Sequence, residues 1–138
     1  MKMKKIIPII TACIILTASA CKKNSTDPLA PTDGPCAKFS LNGTWQRIAS
    51  GTNGSPACIG EVVESINSVG TIKSVPSGCV FQIGQIRWNT LDKVNCNINN
   101  LYAVGSGTTV DHYEFRVGSI VFQSDSVVLI HGVTYKKE

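Results

Sequence analysis

The chain has 138 residues and a formal net charge of +4, and 43% of its residues are hydrophobic. This length allows one small domain with a core of its own. Because three of the lysines stand within the first five residues, the part after residue 20 carries a net charge of only +1. It also contains no basic cluster interleaved with aromatic residues, which argues against nucleic-acid binding.

Residues 1–20 have the features of a signal peptide. Lys2, Lys4 and Lys5 are followed by an apolar run at 6–20 without a charge. This run is shorter than the roughly 20 apolar residues that a membrane-spanning helix needs, and it ends in small residues that suit a peptidase. We therefore expect the leader to be removed.

The sequence ASAC at 18–21 resembles the bacterial lipobox. The resemblance implies that the leader is cut before Cys21 and that Cys21 carries diacylglycerol and a further acyl chain such as palmitate, which together anchor the protein stably to a membrane. The lipobox usually has a branched residue where Ala18 stands, so ordinary secretion with a free Cys21 is the alternative. An acidic stretch soon after the lipidated cysteine would resemble the surface-export signal of Bacteroidota lipoproteins. Here Lys22 and Lys23 follow, which favours the periplasmic face of the outer membrane over the cell surface.

Residues 21–35 are expected to form the lipidated cysteine and a disordered tether. The segment is polar, contains three prolines and has almost nothing to bury. It cannot offset the entropy lost on ordering. Residues 36–138 then form the single folded domain.

That domain is divided by frequent turn sequences, such as TNGSP at 52–56, NSVG at 67–70 and QSDS at 123–126. The segments between them are short and rich in Val, Ile, Tyr, Phe and Thr. This pattern predicts an all-β domain of about eight strands, either a small antiparallel barrel or a closed β-sandwich.

Three segments give more specific expectations. In YEFRV at 113–117, the alternation predicts that the tyrosine, phenylalanine and valine face the core. In FQIGQIRW at 81–88, a bulge at Gly84 would bring the apolar residues onto one face. The run SVVLIHGVTY at 126–135 is nearly continuously apolar, which is typical of a strand covered on both sides.

The segments LNGTW at 41–45, GTIKSV at 70–75 and CVFQIGQIRW at 79–88 together resemble the small lipocalin-like lipoproteins of Bacteroidota. The resemblance implies an up-and-down barrel closed at one end by Trp45, with Arg116 from a late strand lying across that ring. A META-like envelope domain, which opens with a similar strand, is the alternative fold.

The sequence indicates no catalytic or metal site. His112 and His131 stand in no cluster with cysteines or carboxylates, and no serine lies in a Gly-x-Ser-x-Gly setting. Glu61 and Glu64 are three residues apart and fall on opposite faces of a strand. We therefore predict no enzymatic activity, no metal and no cofactor.

A binding role is the expectation that remains. If the barrel encloses a cavity, Trp45, Phe81, Ile83 and Trp88 are the candidate lining residues, and the protein would be a lipocalin-type carrier of a small apolar ligand. A filled interior, with both tryptophans in the core, would favour an interaction module for an envelope protein. An inhibitor of hydrolases is a further alternative, with TNGSPACIG at 52–60 as its candidate inhibitory loop.

The cysteines predict two disulfides. One cysteine leaves with the leader and Cys21 carries lipid, which leaves Cys36, Cys58, Cys79 and Cys96 in an oxidising compartment. In an up-and-down barrel, successive loops alternate between the two ends. This parity places Cys58 and Cys79 at one end and Cys36 and Cys96 at the other. Because bonded cysteines must lie within about 7 Å, these same-end pairs are favoured.

Overall fold

The computed structural model describes residues 36–52, 54–106 and 109–138. The predicted signal peptide, the lipidated Cys21 and the tether fall on residues 1–35 and lie outside the described residues. Within the described ranges, no helix is long and apolar enough to cross a membrane.

The described residues form eight β-strands and one turn of 3-10 helix at Pro56–Cys58. The strands are β1 (Gly43–Ala49), β2 (Val62–Ile66), β3 (Val69–Ser74), β4 (Ile86–Asp92), β5 (Asn97–Val104), β6 (His112–Ser124), β7 (Val127–Ile130) and β8 (Val133–Lys137). Each strand pairs with the next, and β8 pairs antiparallel with β1, so the sheet closes. The predicted all-β, up-and-down barrel of eight strands is confirmed, and it is a barrel rather than a sandwich.

The up-and-down order sends successive connections to alternate ends of the barrel. The β2–β3, β4–β5 and β6–β7 turns lie at one end together with the segment before β1, and we call this the closed end. The β1–β2, β3–β4, β5–β6 and β7–β8 connections lie at the other, which we call the open end.

Aromatic side chains fill the interior toward the closed end. The Trp45 indole is fully buried and its Nε1 donates to the Leu41 carbonyl oxygen at 2.6 Å. Trp88 is also fully buried, and its ring meets that of Tyr135 edge-on at 5.1 Å between centroids. Both tryptophans therefore belong to the packed core, where each contributes a large apolar area.

The cation over Trp45 is Lys137 and not Arg116. The Lys137 Nζ lies 5.6 Å from the centre of the Trp45 ring, because the two residues are direct partners between β1 and β8. Arg116 lies on β6, which does not pair with β1. Its guanidinium contacts Glu114 and lies over the ring of Tyr102.

The predicted strand at 81–88 is wrong in its first half. β4 begins only at Ile86, and Gly84 adopts a positive φ of 88° in a turn. The bulge lies at Arg87 instead: Gly70 pairs with Trp88 while Thr71 pairs with Ile86, so Arg87 has no partner on β3. Because a bulge re-aims side chains, both Arg87 and Trp88 are buried although they are adjacent.

The predicted core face at 113–117 is also wrong. Phe115 and Val117 are 43% and 69% exposed, whereas the buried positions of β6 are Gly118 and Ile120, of the opposite parity. Tyr113 is half-buried and its hydroxyl donates to the Val80 carbonyl oxygen outside the strand pairing. β6 pairs with β5 at 112–119 and with β7 only at 120–124, and the apolar content of a strand does not report which of its faces the barrel covers.

The apolar run at 126–135 forms a hairpin rather than one strand covered on both sides. His131 and Gly132 have φ values of 50° and 79°, which suits a two-residue turn between β7 and β8. In β7 only alternate residues are fully buried, at Val128 and Ile130.

Two disulfides join the cysteines in the predicted pairs. The Cα atoms of Cys36 and Cys96 lie 5.4 Å apart at the closed end, and those of Cys58 and Cys79 lie 4.6 Å apart at the open end. Each pair joins cysteines at the same end of the barrel, as expected when successive loops alternate between the two ends. Such bonds are typical of an oxidising, extracytoplasmic compartment.

Candidate ligand-binding site

A cavity of about 490 Å³ lies at the open end of the barrel. Its volume is within the range of about 300–1,000 Å³ that is common for small-molecule sites. Its described lining residues are Arg47, Gly54, Ser55, Gly78, Val80, Phe81, Arg87, Asn100, Leu101, Tyr102, Ala103, Gly105, Thr109, Val110 and Val133. Polar and apolar side chains therefore share the wall.

Of the four residues predicted to line a cavity, Phe81 lines this one. Ile83 lies in the turn before β4 and is 67% exposed. Trp45 and Trp88 are fully buried in the packed core and are absent from the lining. The prediction assumed one continuous strand face at 81–88, but Ile83 and Gly84 form a turn, so Phe81, Ile83 and Trp88 do not share a strand face.

Beside the cavity, the carboxylate of Glu61 lies between two arginine side chains, and all three residues are almost completely buried. Glu61 Oε1 accepts a hydrogen bond from Arg87 Nε at 2.9 Å, and Oε2 lies 3.7 Å from Arg47 Nη1. The Tyr135 hydroxyl donates to Glu61 Oε1 at 3.3 Å. This buried polar cluster was not predicted from the sequence.

Backbone pairing holds Arg47 and Glu61 side by side. The Arg47 amide donates to the Glu61 carbonyl oxygen and the Gly60 amide donates to the Arg47 carbonyl oxygen, both at 2.8 Å. Alternation then explains why both side chains point inward: Arg47 is two residues after buried Trp45, and Glu61 is two residues before buried Val63. The same count could have identified these two residues in the sequence, but it could not have identified Arg87, which the bulge turns inward.

Arg87 is extensively bonded. Besides Glu61, its guanidinium donates through Nη1 to Asn100 Oδ1 at 2.9 Å and to the Leu101 carbonyl oxygen. Its Cζ also lies 4.3 Å from the centre of the Phe81 ring, which adds a cation–π contact. Burial alone would lower the pKa of Arg87, but the electrostatic influence of Tyr135 and Glu61 outweighs it and raises that pKa.

Arg47 is less well satisfied. Its Nη2 donates to the Ser55 carbonyl oxygen at 2.8 Å, while its Nε has no hydrogen-bond partner among the described residues. Glu61 Oε2 likewise has no hydrogen-bond partner there, since 3.7 Å from Arg47 is beyond hydrogen-bond range. Burial lowers the pKa of Arg47. Buried polar atoms normally find partners, and among the described residues these two share the exception with the hydroxyl of Tyr102, which also lines the cavity.

The other residues considered for chemistry do not form a site. His112 is exposed near Glu114, and the His131 ring meets Tyr102 edge-on at 5.1 Å in the β7–β8 turn. Glu64 forms an exposed ion pair with Lys73, on the other side of the sheet from Glu61.

Cys58, Cys79 and Glu61 approach one another within 4.8 Å, which is the spacing of a metal site. However, the two sulfur atoms are bonded to each other, so they are not thiolate ligands. The disulfide instead ties the β1–β2 and β3–β4 connections together beside the buried polar cluster.

The fold and the cavity define the class of protein: a small, closed, disulfide-bonded β-barrel with an open cavity at one end. No protein-family model, curated protein or solved structure matches the chain.

Proposed function

We propose that this chain is a lipid-anchored, non-enzymatic binding protein of the bacterial cell envelope that holds a small molecule in the open end of its barrel. The observation that carries the proposal is the cavity of about 490 Å³ at the open end. Residues of the β1–β2, β3–β4 and β5–β6 connections contribute to its wall. Small-molecule sites are commonly found in the mouths of barrels and combine apolar walls with a few polar groups.

The anchoring part of the proposal rests on the leader and Cys21. The lipobox-like sequence at 18–21 supports lipidation, and the two disulfides support an oxidising compartment. The closed barrel and the buried Trp45 agree with a lipocalin-like lipoprotein of Bacteroidota, and we keep the outer membrane, with the domain in the periplasm, as the proposed location.

The distribution of packing favours small-molecule binding over the two alternatives. An interaction module was expected to have a filled interior, whereas this barrel keeps a cavity of about 490 Å³ at its open end. A hydrolase inhibitor would present the loop at 52–60. In the described part of that loop, Pro56, Ala57 and Ile59 are exposed, but Gly54 and Ser55 line the cavity and the disulfide of Cys58 ties the loop to the barrel, so the loop serves as part of the cavity wall.

A cavity-filling variant tests the proposal. We expect the mature chain from residue 21 to 138, with Cys21→Ser to keep it soluble, to bind one naphthalene-type fluorescent probe per molecule. Ala103→Trp places a large ring at the cavity wall and should abolish this binding. The matched control is Val121→Trp, at a 52% exposed position of β6, which should bind as the parent does. Equal binding by both variants, or no binding by the parent, would refute a cavity site.

A further inference from the structure

We infer that the ligand of this cavity is a small organic anion, whose acidic group binds Arg47 and whose apolar part lies against the wall that includes Phe81 and Val133. The inference rests on the proposed function, because it assumes that the cavity holds a ligand.

The first argument is the charge of the interior. Two buried guanidinium groups, of Arg47 and Arg87, face a single buried carboxylate, that of Glu61. None of the described lining residues is acidic. An uncompensated buried charge is unfavourable, so the site favours a ligand with one negative charge and disfavours cations.

The second argument identifies Arg47 as the ligand-binding arginine. Arg87 donates to Glu61, Asn100 and the Leu101 backbone and is stacked on Phe81. Arg47 lines the same cavity, and among the described residues it makes one hydrogen bond and has an unpartnered, buried Nε. A guanidinium with free donors is the group that best binds a carboxylate, sulfonate or phosphate oxygen.

The third argument is that the chain is built to accommodate this guanidinium. Gly54 lies against it so closely that a Cβ at position 54 would overlap Arg47 Nη2 and the Ser50 carbonyl oxygen. The Ser55 carbonyl oxygen holds the same Nη2. The described part of the β1–β2 connection therefore fixes the orientation of Arg47 at the cavity wall.

The rest of the wall indicates an amphipathic ligand. Val80, Phe81, Leu101, Val110 and Val133 contribute to the lining, and Asn100 and Tyr102 add neutral polar groups. A single acidic group on an apolar or aromatic body matches this division better than a small inorganic anion.

Two probes of almost the same shape test the inference. Anilinonaphthalene sulfonate carries one negative charge, and N-phenylnaphthylamine has the same aromatic frame without it. We expect the mature Cys21→Ser chain to bind the sulfonate roughly 10- to 100-fold more tightly, which is the range for a hydrogen bond to a charged group. Equal affinities would overturn the inference but leave the proposed function standing. If neither probe binds, the proposed function fails and the inference fails with it.

A nearly isosteric variant tests the charge argument without removing an arginine. Asn100→Asp retains the oxygen that accepts from Arg87 and adds the missing negative charge beside the cavity. It should reduce the preference for the sulfonate at least about tenfold while the neutral probe binds as before. Asn99→Asp, on the same strand but outside the lining, is the matched control and should retain the preference.

A comparison of Arg47→Gln with Arg116→Gln distinguishes binding of the anionic probe by the buried Arg47 from a general attraction of that probe to positive charge on the protein. Arg116 is an exposed arginine over Tyr102. We expect only Arg47→Gln to lose the preference, and a loss of the same size in Arg116→Gln would contradict the assignment. Should Arg47→Gln fail to fold, the parent and the two asparagine variants decide the question.

Discussion

Glu61 is the carboxylate that joins the two buried arginines and Tyr135 in the barrel interior. Its carboxylate contacts Arg47 and Arg87 and accepts from Tyr135, while its backbone pairs with β1. Without it, two buried guanidinium groups would repel each other and lose their counter-ion. Breaking a buried ion pair in this way typically costs about 3–5 kcal/mol.

We therefore expect Glu61→Ala to lower the free energy of unfolding by about 3–5 kcal/mol, measured by denaturant titration at neutral pH. Glu64→Ala is the control, because the pair of Glu64 with Lys73 is exposed and contributes no more than about 1 kcal/mol. Similar losses in the two variants would show that the buried carboxylate is not the group that balances the arginines.

Tyr135 is expected to make the barrel less stable as the pH rises through the alkaline range. Complete burial raises the pKa of its hydroxyl to about 12, above the usual value of 10.0. Because the folded state holds this proton more tightly than the unfolded state, the resulting stability is fully present below about pH 10. It is lost as the pH rises toward 12.

The expected result is a fall of about 2–3 kcal/mol in the free energy of unfolding between about pH 10 and pH 12, in excess of the fall in Tyr135→Phe, which lacks the titrating group. Denaturant titrations across this range measure both proteins. Parallel curves for the parent and Tyr135→Phe would contradict a raised pKa.

At the scale of the elements, a bulge and a turn determine which side chains face the interior of the barrel. The bulge on β4 turns Arg87 inward next to Trp88, and a turn removes Ile83 from the wall. The two disulfides act at opposite ends. Cys36–Cys96 ties the segment before β1 to the β4–β5 turn, and Cys58–Cys79 ties two connections beside the cavity.

The two bonds close loops of different length, so their removal should have different costs. The cysteines are 60 residues apart in Cys36–Cys96 and 21 apart in Cys58–Cys79. In the chain-entropy model, replacing the first pair by alanine costs about 4 kcal/mol and replacing the second costs about 3 kcal/mol. Denaturant titration of the two double variants measures this, and a larger loss for the shorter loop would show that local packing, not chain entropy, controls the effect.

At the scale of the whole molecule, the barrel is asymmetric: aromatic packing fills it toward one end and a charged cavity opens at the other. The proposed anchor adds a second functional part, because Cys21 precedes the barrel by a tether of polar residues and prolines. A binding domain on such an anchor would stay close to a membrane while its cavity is free to exchange ligand.

The anchor can be tested independently of any ligand. We expect Cys21→Ser to lack the lipid and to resist cleavage by the lipoprotein peptidase, so that the chain keeps its leader. The intact mass of the chain measures both effects, with Cys36→Ser as a control that leaves the lipobox unchanged. A Cys21→Ser protein that stays in the membrane and matures normally would rule out lipidation at this residue.

Local patterns in the sequence were sufficient for the fold class and the disulfides. Short β-rich segments between turn sequences predicted eight strands, and the alternation of loops between two ends predicted the pairs Cys36–Cys96 and Cys58–Cys79. Both inferences depend only on the number and order of the strands. An error of a few residues in the strand boundaries does not change them.

The candidate site was decided by tertiary structure, because it depends on register. The closed sheet covers one face of each strand, which buries Arg47 and Glu61 and exposes Phe115. The bulge that reverses the orientation of Arg87 arises from its pairing with β3 and leaves no mark in the residue pattern. Charged residues look the same in a sequence whether they face water or each other, and only the closure of the barrel placed these two arginines and one carboxylate side by side in its interior.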